Sequence, residues 1–488
     1  MKNLEKLLKD VISSDDTVIN PQDIIINKIC YNSKKCIENS VFCALPPLTS
    51  QSLNGNDYIP DALRNGAKVI VSNDSNITKQ NNTTYIITKN PALLFSKFCY
   101  SFFSNPQKKL KILGVTGTDG KTTTCDFLYQ MMKLQNQKCG ILSTVSMDYG
   151  QGKRSSLYRQ STPEADVLSE FLYKCAYNGL EYVVLEATSH ALSPLTSRLS
   201  PIEFDLAIFT SITKEHLDFH VNFDNYLDSK LNLARQLKKG ALLITSPFNP
   251  YKKQIIEASK SPLTIPNCSI QILKQNLDFM LINKNIKFCY GETCYLENAI
   301  LAYTAFTALL NLDFEQNLKI FELLKRVDGR FFLFKRNTVT YIIDFAHTAK
   351  AYENLFSFLR KLYPETFITV VFGEGGFRDR EKRWEMGRLA SIYCSKVIIT
   401  EEDPRDEDPE IIYQDIIKKV DEKNLYKIKH IENRKIAIST ACQQAQNNSF
   451  VLLLGKGKER TIAKKNGEKI PWDEKKILLE IIDLKEKK

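Results

Sequence analysis

The sequence predicts an α/β protein of three domains, at residues 1–107, 108–329 and 330–488. Three observations predict it. A chain of 488 residues is too long for one ordinary core. Short apolar runs rich in β-branched residues recur along it, each running into glycine or polar residues, as buried strands of parallel sheets do. Between them, apolar residues fall at helical spacing, which supplies the crossover helices.

The elements follow in order. MKNLEKLLKDVISSDD reads as a short amphipathic helix, without the apolar stretch and small-residue cleavage site of a signal peptide. IICYNSKKC and SVFCAL are strand-like, and YIPDALRNGAKVIVSN reads as helix then strand, so residues 1–107 form a small α/β domain. In the central domain KILGVTG is a buried strand running into a glycine loop, and TTTCDFLYQMMKLQ continues as a helix. YVVLEATSH, DLAIFTSIT and GALLITS extend the parallel sheet, and LENAILAYTAFTALLNL is an apolar helix. The C-terminal domain is Rossmann-like. TYIIDFAH, FITVVFGEGG, KVIITEEDP and FVLLLGKG are strand-then-loop units, with polar or glycine residues where open parallel sheets bind ligands.

Composition bounds the function. The apolar share is 43% and the charged share 25%, as in soluble globular proteins, and no apolar run is long enough to span a bilayer. The protein reads as cytoplasmic. The net charge of +11 would suit nucleic acid, an anionic membrane or an anionic small molecule; a solvated lysine-rich surface is the better explanation. The 12 cysteines form no paired CxxC zinc pattern, since Cys289 and Cys294 lack a second pair, and they read as reduced, mostly buried thiols. Of five histidines, His190, His216, His220 and His347 lie beside the motifs below.

The strongest motif is Gly117-Thr118-Asp119-Gly120-Lys121-Thr122-Thr123, between a strand and a helix. Glycines let backbone N–H groups approach phosphate oxygens. Lys121 would reach the β/γ-phosphates of ATP, and the Thr122 hydroxyl suits Mg²⁺. Gly114 falls one residue too early for a strict Walker A pattern. The plain alternative, a glycine turn capping a helix, does not account for strand, loop and helix together.

GVTGTDGKTTT, LEATSHAL, FTSITKEHLDFHVNFDNYLDSK, DFAHT, FGEGGFRDREKRWEMG, DPRDEDP and LLLGKGKE occur in the order found in Mur ligases. The chain resembles that family over nearly its whole length, and within it the tripeptide-synthetase type. The resemblance implies a small N-terminal uridine-binding domain, a central ATPase domain and a C-terminal domain that binds an amino acid. It also implies the roles that follow.

Glu186, at the end of YVVLE, would hold Mg²⁺, with His216 helping to hold a second ion. Lys230 matches the family lysine that CO₂ carbamylates, turning a cation into an oxygen ligand. Lys121, His216 and Lys230 would be the catalytic set. Asn298, Arg330, Asp344 and His347 would join the loop in binding ATP, Arg330 through its planar charged fork. Ser33, Ser161, Thr162, Ser189 and Arg198 would meet the muramoyl nucleotide; hydroxyls of this kind also cap turns. His190 and His220 read as structural. NSK around Ser33 stands where the family has DSR, Asp119 replaces an asparagine, and Tyr295 falls near a position for an adenine-contacting asparagine.

Arg378, Glu402, Asp403, Pro404, Arg405, Gly455 and Glu459 match the amino-acid site. Arginine there suits a second carboxylate, as in diaminopimelate. Asp403 puts an anion where that motif has an amide, which favours an ammonium, so ornithine or lysine competes with diaminopimelate. Asp406, Glu407 and Asp408 read as a solvated loop. The implied reaction is ATP-dependent formation of an acyl phosphate on UDP-N-acetylmuramoyl-L-alanyl-D-glutamate, followed by amine attack, with Mg²⁺ as cofactor. The expected protein is a monomer with no nucleic-acid or membrane partner. Two alternatives stand beside it. A ligase like folylpolyglutamate synthase would lack the uridine domain. A nucleic-acid-dependent P-loop ATPase would follow from the charge, but no nucleic-acid module is evident.

Overall fold

A computed structural model describes residues 1–48, 53–158, 160–259, 261–264, 270–283 and 285–486. The chain divides into two compact units, Met1–Gly117 with Leu128–Thr210 and Asp224–Pro266, and Thr118–Phe127 with Ser211–Phe223 and Asn267–Lys488.

The first unit holds two larger sheets, one of five strands and one of eight, beside the short pairing of Lys2–Asn3 with Ile25–Ile26. The smaller runs Thr17–Ile19, Thr84–Ile87, Ala67–Ser72, Ser40–Cys43, Lys28–Cys30, parallel except for its first pair. Phe42, Ile70 and Tyr85 from its strands pack with Ile59 and Ala62 of the helix Ile59–Arg64. The N-terminal helix Leu4–Val11 buries Leu4, Leu7 and Val11, the face that its sequence periodicity marks. The larger sheet has Lys111–Thr116 near its centre, between Tyr182–Glu186 and Phe204–Phe209, all parallel. Leu237–Thr245 extends one side, and Cys139–Leu142 the other.

The second unit carries a six-stranded sheet in the order Phe332–Arg336, Val339–Asp344, Phe450–Leu454, Ile368–Phe372, Lys396–Ile399, Ile428–His430. Only the first pair is antiparallel. Every residue of Phe450–Leu454 is buried, because helices cover both faces of the sheet. Val451, Leu453 and Ile398 pack against Ile438 of the helix Arg434–Gln443 and Leu478 of the helix Glu474–Glu486.

The α/β class and the parallel strand-then-loop units are as predicted. One segment differs: after Cys30 the chain does not continue as a strand but turns through a 3₁₀ helix, Ser33–Lys35, because the Asn32 side chain accepts from Lys34 N–H. Among the described residues no helix is long and apolar enough to cross a membrane.

Candidate active site

The strand Lys111–Thr116 ends at Gly117 and the helix Lys121–Leu134 starts at Lys121, so the glycine loop has its expected place. Thr118 is tied down from two sides, its N–H donating to Ser211 O and its hydroxyl to Thr213 O at 2.9 Å. Gly120 has φ +86°, and a Cβ there would lie 2.2 Å from Asn298 Oδ1. Glycine is therefore required both by the backbone and by the approach of Asn298. Thr348 Oγ1 donates to Asp119 Oδ2 at 2.9 Å. Lys121 Nζ donates to Thr118 O at 2.7 Å, folded back over its own loop. Arg330 Nη2 donates to Thr122 Oγ1 at 3.1 Å, its guanidinium 4.3 Å from the Phe345 ring centroid. Thr122 and Thr123 are buried. Asn298 and Arg330 thus meet the phosphate loop directly.

Asp344 is engaged within the protein: its carboxylate accepts from Tyr295 Oη at 2.9 Å, from Ala346 N–H at 2.7 Å and from Phe331 N–H. Tyr295 is itself buried and stacked on Tyr290, centroids 4.0 Å apart and planes 3° from parallel. His347 Nδ1 lies 2.8 Å from Phe345 O, and its Nε2 lies 3.2 Å from Glu215 Oε1. His216 Nε2 is 3.4 Å from the other oxygen of the same carboxylate. Burial alone would raise the Glu215 carboxyl, but His216, His347 and Lys382 together hold it well below the usual range. The ring of His347 is raised in turn: burial is the largest influence and lowers it, but the hydrogen bond and the charge of Glu215 together outweigh burial.

In the first unit the Tyr182–Glu186 strand sets Glu186 beside the threonine and serine candidates. Glu186 Oε2 accepts from Thr144 N–H at 2.8 Å and from Thr144 Oγ1 at 3.0 Å. Ser161 Oγ is 2.6 Å from Thr144 Oγ1, and Thr162 Oγ1 donates to Glu186 O at 2.6 Å. Ser189 opens the short helix Ser189–Leu192, capped by Thr188. Arg198 Nη1 donates to Thr162 O at 3.0 Å and its Nε to Glu164 Oε2 at 2.9 Å. Lys230, on the helix Phe223–Arg235, is 1% exposed and donates to Gly117 O at 2.5 Å. Its ammonium lies 4.5 Å from the Tyr226 ring centroid. Ser33 is buried in the 3₁₀ turn, with Asn65 Nδ2 on its carbonyl at 3.0 Å. His220 is buried edge-on to Phe219. Among the described residues no group of three or more His, Cys, Asp or Glu side chains converges as a metal site.

The loops following three adjacent strands of the six-stranded sheet gather the remaining candidates. Asp403 Oδ1 accepts from Lys456 Nζ at 3.1 Å and Ala463 N–H at 2.8 Å, so its charge is matched internally. Lys456 also meets Glu459 at 2.5 Å. Arg405 Nη1 donates to Gly376 O, Arg378 pairs with Asp218 at 3.1 Å, and Pro404 is buried. Gly455 lies against Glu402. The run Asp406–Asp408 is not simply solvated. Glu407 takes a bidentate bond from the fully buried Arg383, at 2.7 and 2.8 Å, and Asp408 caps the helix Pro409–Ile417.

Sequence reasoning missed Glu215, Lys382 and Glu374. Glu215 sits beside His216 in KEHLDFH, and Glu374 stands in the glycine loop FGEGG; each was adjacent to a motif residue that drew attention first. Lys382 Nζ lies 3.3 Å from Glu374 Oε2, a partnership that no spacing reveals.

Residues 115–287 match the Mur ligase middle domain, and residues 329–457 the Mur ligase glutamate ligase domain. The UDP-N-acetylmuramyl-tripeptide synthetase of Borreliella burgdorferi is 34% identical over 480 residues, covering 93% of this chain and 92% of the relative. The UDP-N-acetylmuramoyl-L-alanyl-D-glutamate--2,6-diaminopimelate ligase of Syntrophomonas wolfei is 30% identical, covering 95% of this chain and 96% of the relative. A solved structure of a diaminopimelate ligase of that name superposes with a TM-score of 0.58 at 24% identity, over 96% of this chain and 97% of that one.

Proposed function

Because the chain belongs to the Mur ligase family, we propose that it is an ATP-dependent ligase joining a diamino acid to UDP-N-acetylmuramoyl-L-alanyl-D-glutamate during peptidoglycan precursor synthesis. The observation that carries this reading is the hydrogen bond from Arg330 to Thr122, which brings a guanidinium onto a phosphate-loop hydroxyl 208 residues away. A cation there suits a triphosphate. The match to tripeptide synthetases along nearly their whole length disfavours the folylpolyglutamate-synthase-like alternative.

In this reading backbone N–H groups of Gly117–Thr123 and the Lys121 ammonium hold the ATP phosphates, with Asn298, Asp344 and His347 completing the nucleotide site. The substrate D-glutamate carboxylate attacks the γ-phosphorus, releasing ADP and forming an acyl phosphate. The amine of the diamino acid then attacks the acyl carbon, and phosphate leaves. Lys121 and Arg330 offset charge developing on the phosphoryl oxygens. Ser33, Ser161, Thr162, Ser189 and Arg198 hold the muramoyl nucleotide. Arg378, Glu402, Asp403, Pro404, Arg405, Gly455 and Glu459 surround the amino acid.

The proposed donors are of a type that suits a hard divalent cation: the Thr122 hydroxyl and the buried Glu186 carboxylate are oxygen ligands of the kind Mg²⁺ takes, and His216 is proposed with them. Lys230 fits a carbamate, since its amine is buried against the phosphate-loop carbonyl and would exchange an ammonium for two oxygens. Mg²⁺, when bound, supplies neutralisation of phosphate charge.

The division at 1–107, 108–329 and 330–488 is proposed as the working domain arrangement, supported by the confinement of each large sheet to one of these ranges. The protein acts as a cytoplasmic monomer without nucleic-acid or membrane partners, in cell-wall growth and division. Lys121→Ala tests the scheme: amino-acid-dependent ADP release should vanish, and retained turnover would count against it.

A further inference from the structure

The strands Ile368–Phe372, Lys396–Ile399 and Phe450–Leu454 are parallel neighbours, so their following loops emerge at one end of the sheet. Glycines let these loops close on one another. A Cβ at Gly373 would lie 2.1 Å from Thr400 O, and one at Gly376 would lie 1.9 Å from Pro404 O. Glu374, between them, is thereby pressed toward the loop that carries Glu402.

After the ion pairs at this sheet end are assigned, two carboxylates are left under-compensated. Glu374 is 2% exposed; Lys382 approaches its Oε2 at 3.3 Å, but its Oε1 is buried with no hydrogen-bond partner. Glu402 has neither hydrogen bond nor ion pair among the described residues, and its Oε2 would stand 2.7 Å from a Cβ on Gly455. Burial first, and then the charge of Glu374, push the Glu402 carboxyl up to about 7, so the two acids feel each other. The cations that face Glu402 are each shared with other acids: Lys382 with Glu374 and Glu215, Lys456 with Asp403 and Glu459, and Arg434 with Glu474, while Arg378 pairs with Asp218. The buried Tyr352 hydroxyl, which also lacks a partner, senses both acids.

A buried carboxylate oxygen without a donor is costly, and native structures rarely keep one unless a ligand or water completes it. A cation with several N–H groups would satisfy both acids at once. A further carboxylate would instead add a third negative charge to a poorly solvated place. Asp403, the acid that departs from the family motif, cannot supply this preference, because Lys456 already neutralises it.

We propose that Glu374 and Glu402 receive the terminal ammonium of the incoming amino acid, and that this amino acid has one carboxylate, as lysine and ornithine do, rather than the two of diaminopimelate. The proposal rests on the ligase reading above. Glu374 and Glu402 are then the residues that set specificity.

The full chain, with UDP-N-acetylmuramoyl-L-alanyl-D-glutamate and ATP, is given lysine, ornithine or meso-diaminopimelate, with products read by mass spectrometry and rates by ADP release. The better of lysine and ornithine should exceed diaminopimelate in kcat/KM by about 100-fold or more. Glu374→Gln should raise its KM about tenfold or more with little change in kcat or in the KM for ATP, and should narrow the gap to diaminopimelate. Glu402→Gln, at a half-buried position, should act in the same direction. Preference for diaminopimelate, or an unchanged amino-acid KM in both variants, overturns the proposal while leaving the ligase reading intact. Failure of all three amino acids to give product overturns the ligase reading itself.

Discussion

Glu292→Gln should make the protein more stable in alkaline buffer while leaving it nearly unchanged near pH 4. Glu292 is 5% exposed just before the helix Thr293–Leu310. Burial, and then the negative charge of Asp344, push its carboxyl up to about 8 from an ordinary 4.5. The folded protein therefore keeps a proton that the unfolded chain has lost between those two values. Stability from this group falls as pH rises through that window and is fully lost above about 8. The gap between 4.5 and about 8, at about 1.4 kcal/mol for each pH unit, amounts to about 5 kcal/mol when the group is ionised. Water entering around a charged Glu292 would reduce this to several kcal/mol. Glutamine is close in shape, stays neutral and still donates a hydrogen bond. Thermal unfolding of wild type and variant at pH 4, 6, 7 and 8 would show the difference in Tm opening upward, with the variant above. Other titrating groups are shared by both proteins and cancel in the difference. A gap that stays flat, or a wild type that is the more stable at pH 8, would refute the reasoning.

Two further outcomes are expected. Lys230→Ala should lower ligase activity at least about 100-fold, and wild-type activity should fall in CO₂-depleted buffer and recover with bicarbonate; insensitivity to CO₂ would exclude the carbamate. Arg434→Met should destabilise the protein by about 3–5 kcal/mol in urea unfolding, because it strands Glu474 in an ion pair whose members are both 0% exposed. Replacing Glu474 by leucine as well should recover much of that loss.

The parallel strands were legible because both of their faces are buried. YVVLE, FITVVF and FVLLL are continuous apolar runs, and each proved to be a strand. The antiparallel additions were not. Ile272–Gln275, Met280–Ile282 and Ile286–Phe288 form a small sheet from a stretch in which polar residues interrupt every apolar run. Arg154–Ser155, at the edge of the larger sheet, is too short to carry any periodicity. The phosphate loop was legible because all of its chemistry lies within seven consecutive residues. Glu215 and Lys382 were not, since their significance lies in charges brought together from distant segments. Glu407 was misread for the same reason: an acid among acids looks solvated until its buried arginine is known.

The hydrogen bonds from Arg330 to Thr122 and from Thr348 to Asp119 tie the phosphate loop to residues 330–348. Its groups do not have to be organised afresh each time a nucleotide arrives, which spares conformational freedom at loading. The same bonds make the grip on nucleotide and the integrity of residues 330–348 reciprocal quantities. Damage at this junction would register as weaker nucleotide affinity, and a bound nucleotide would in return shield the junction from unfolding.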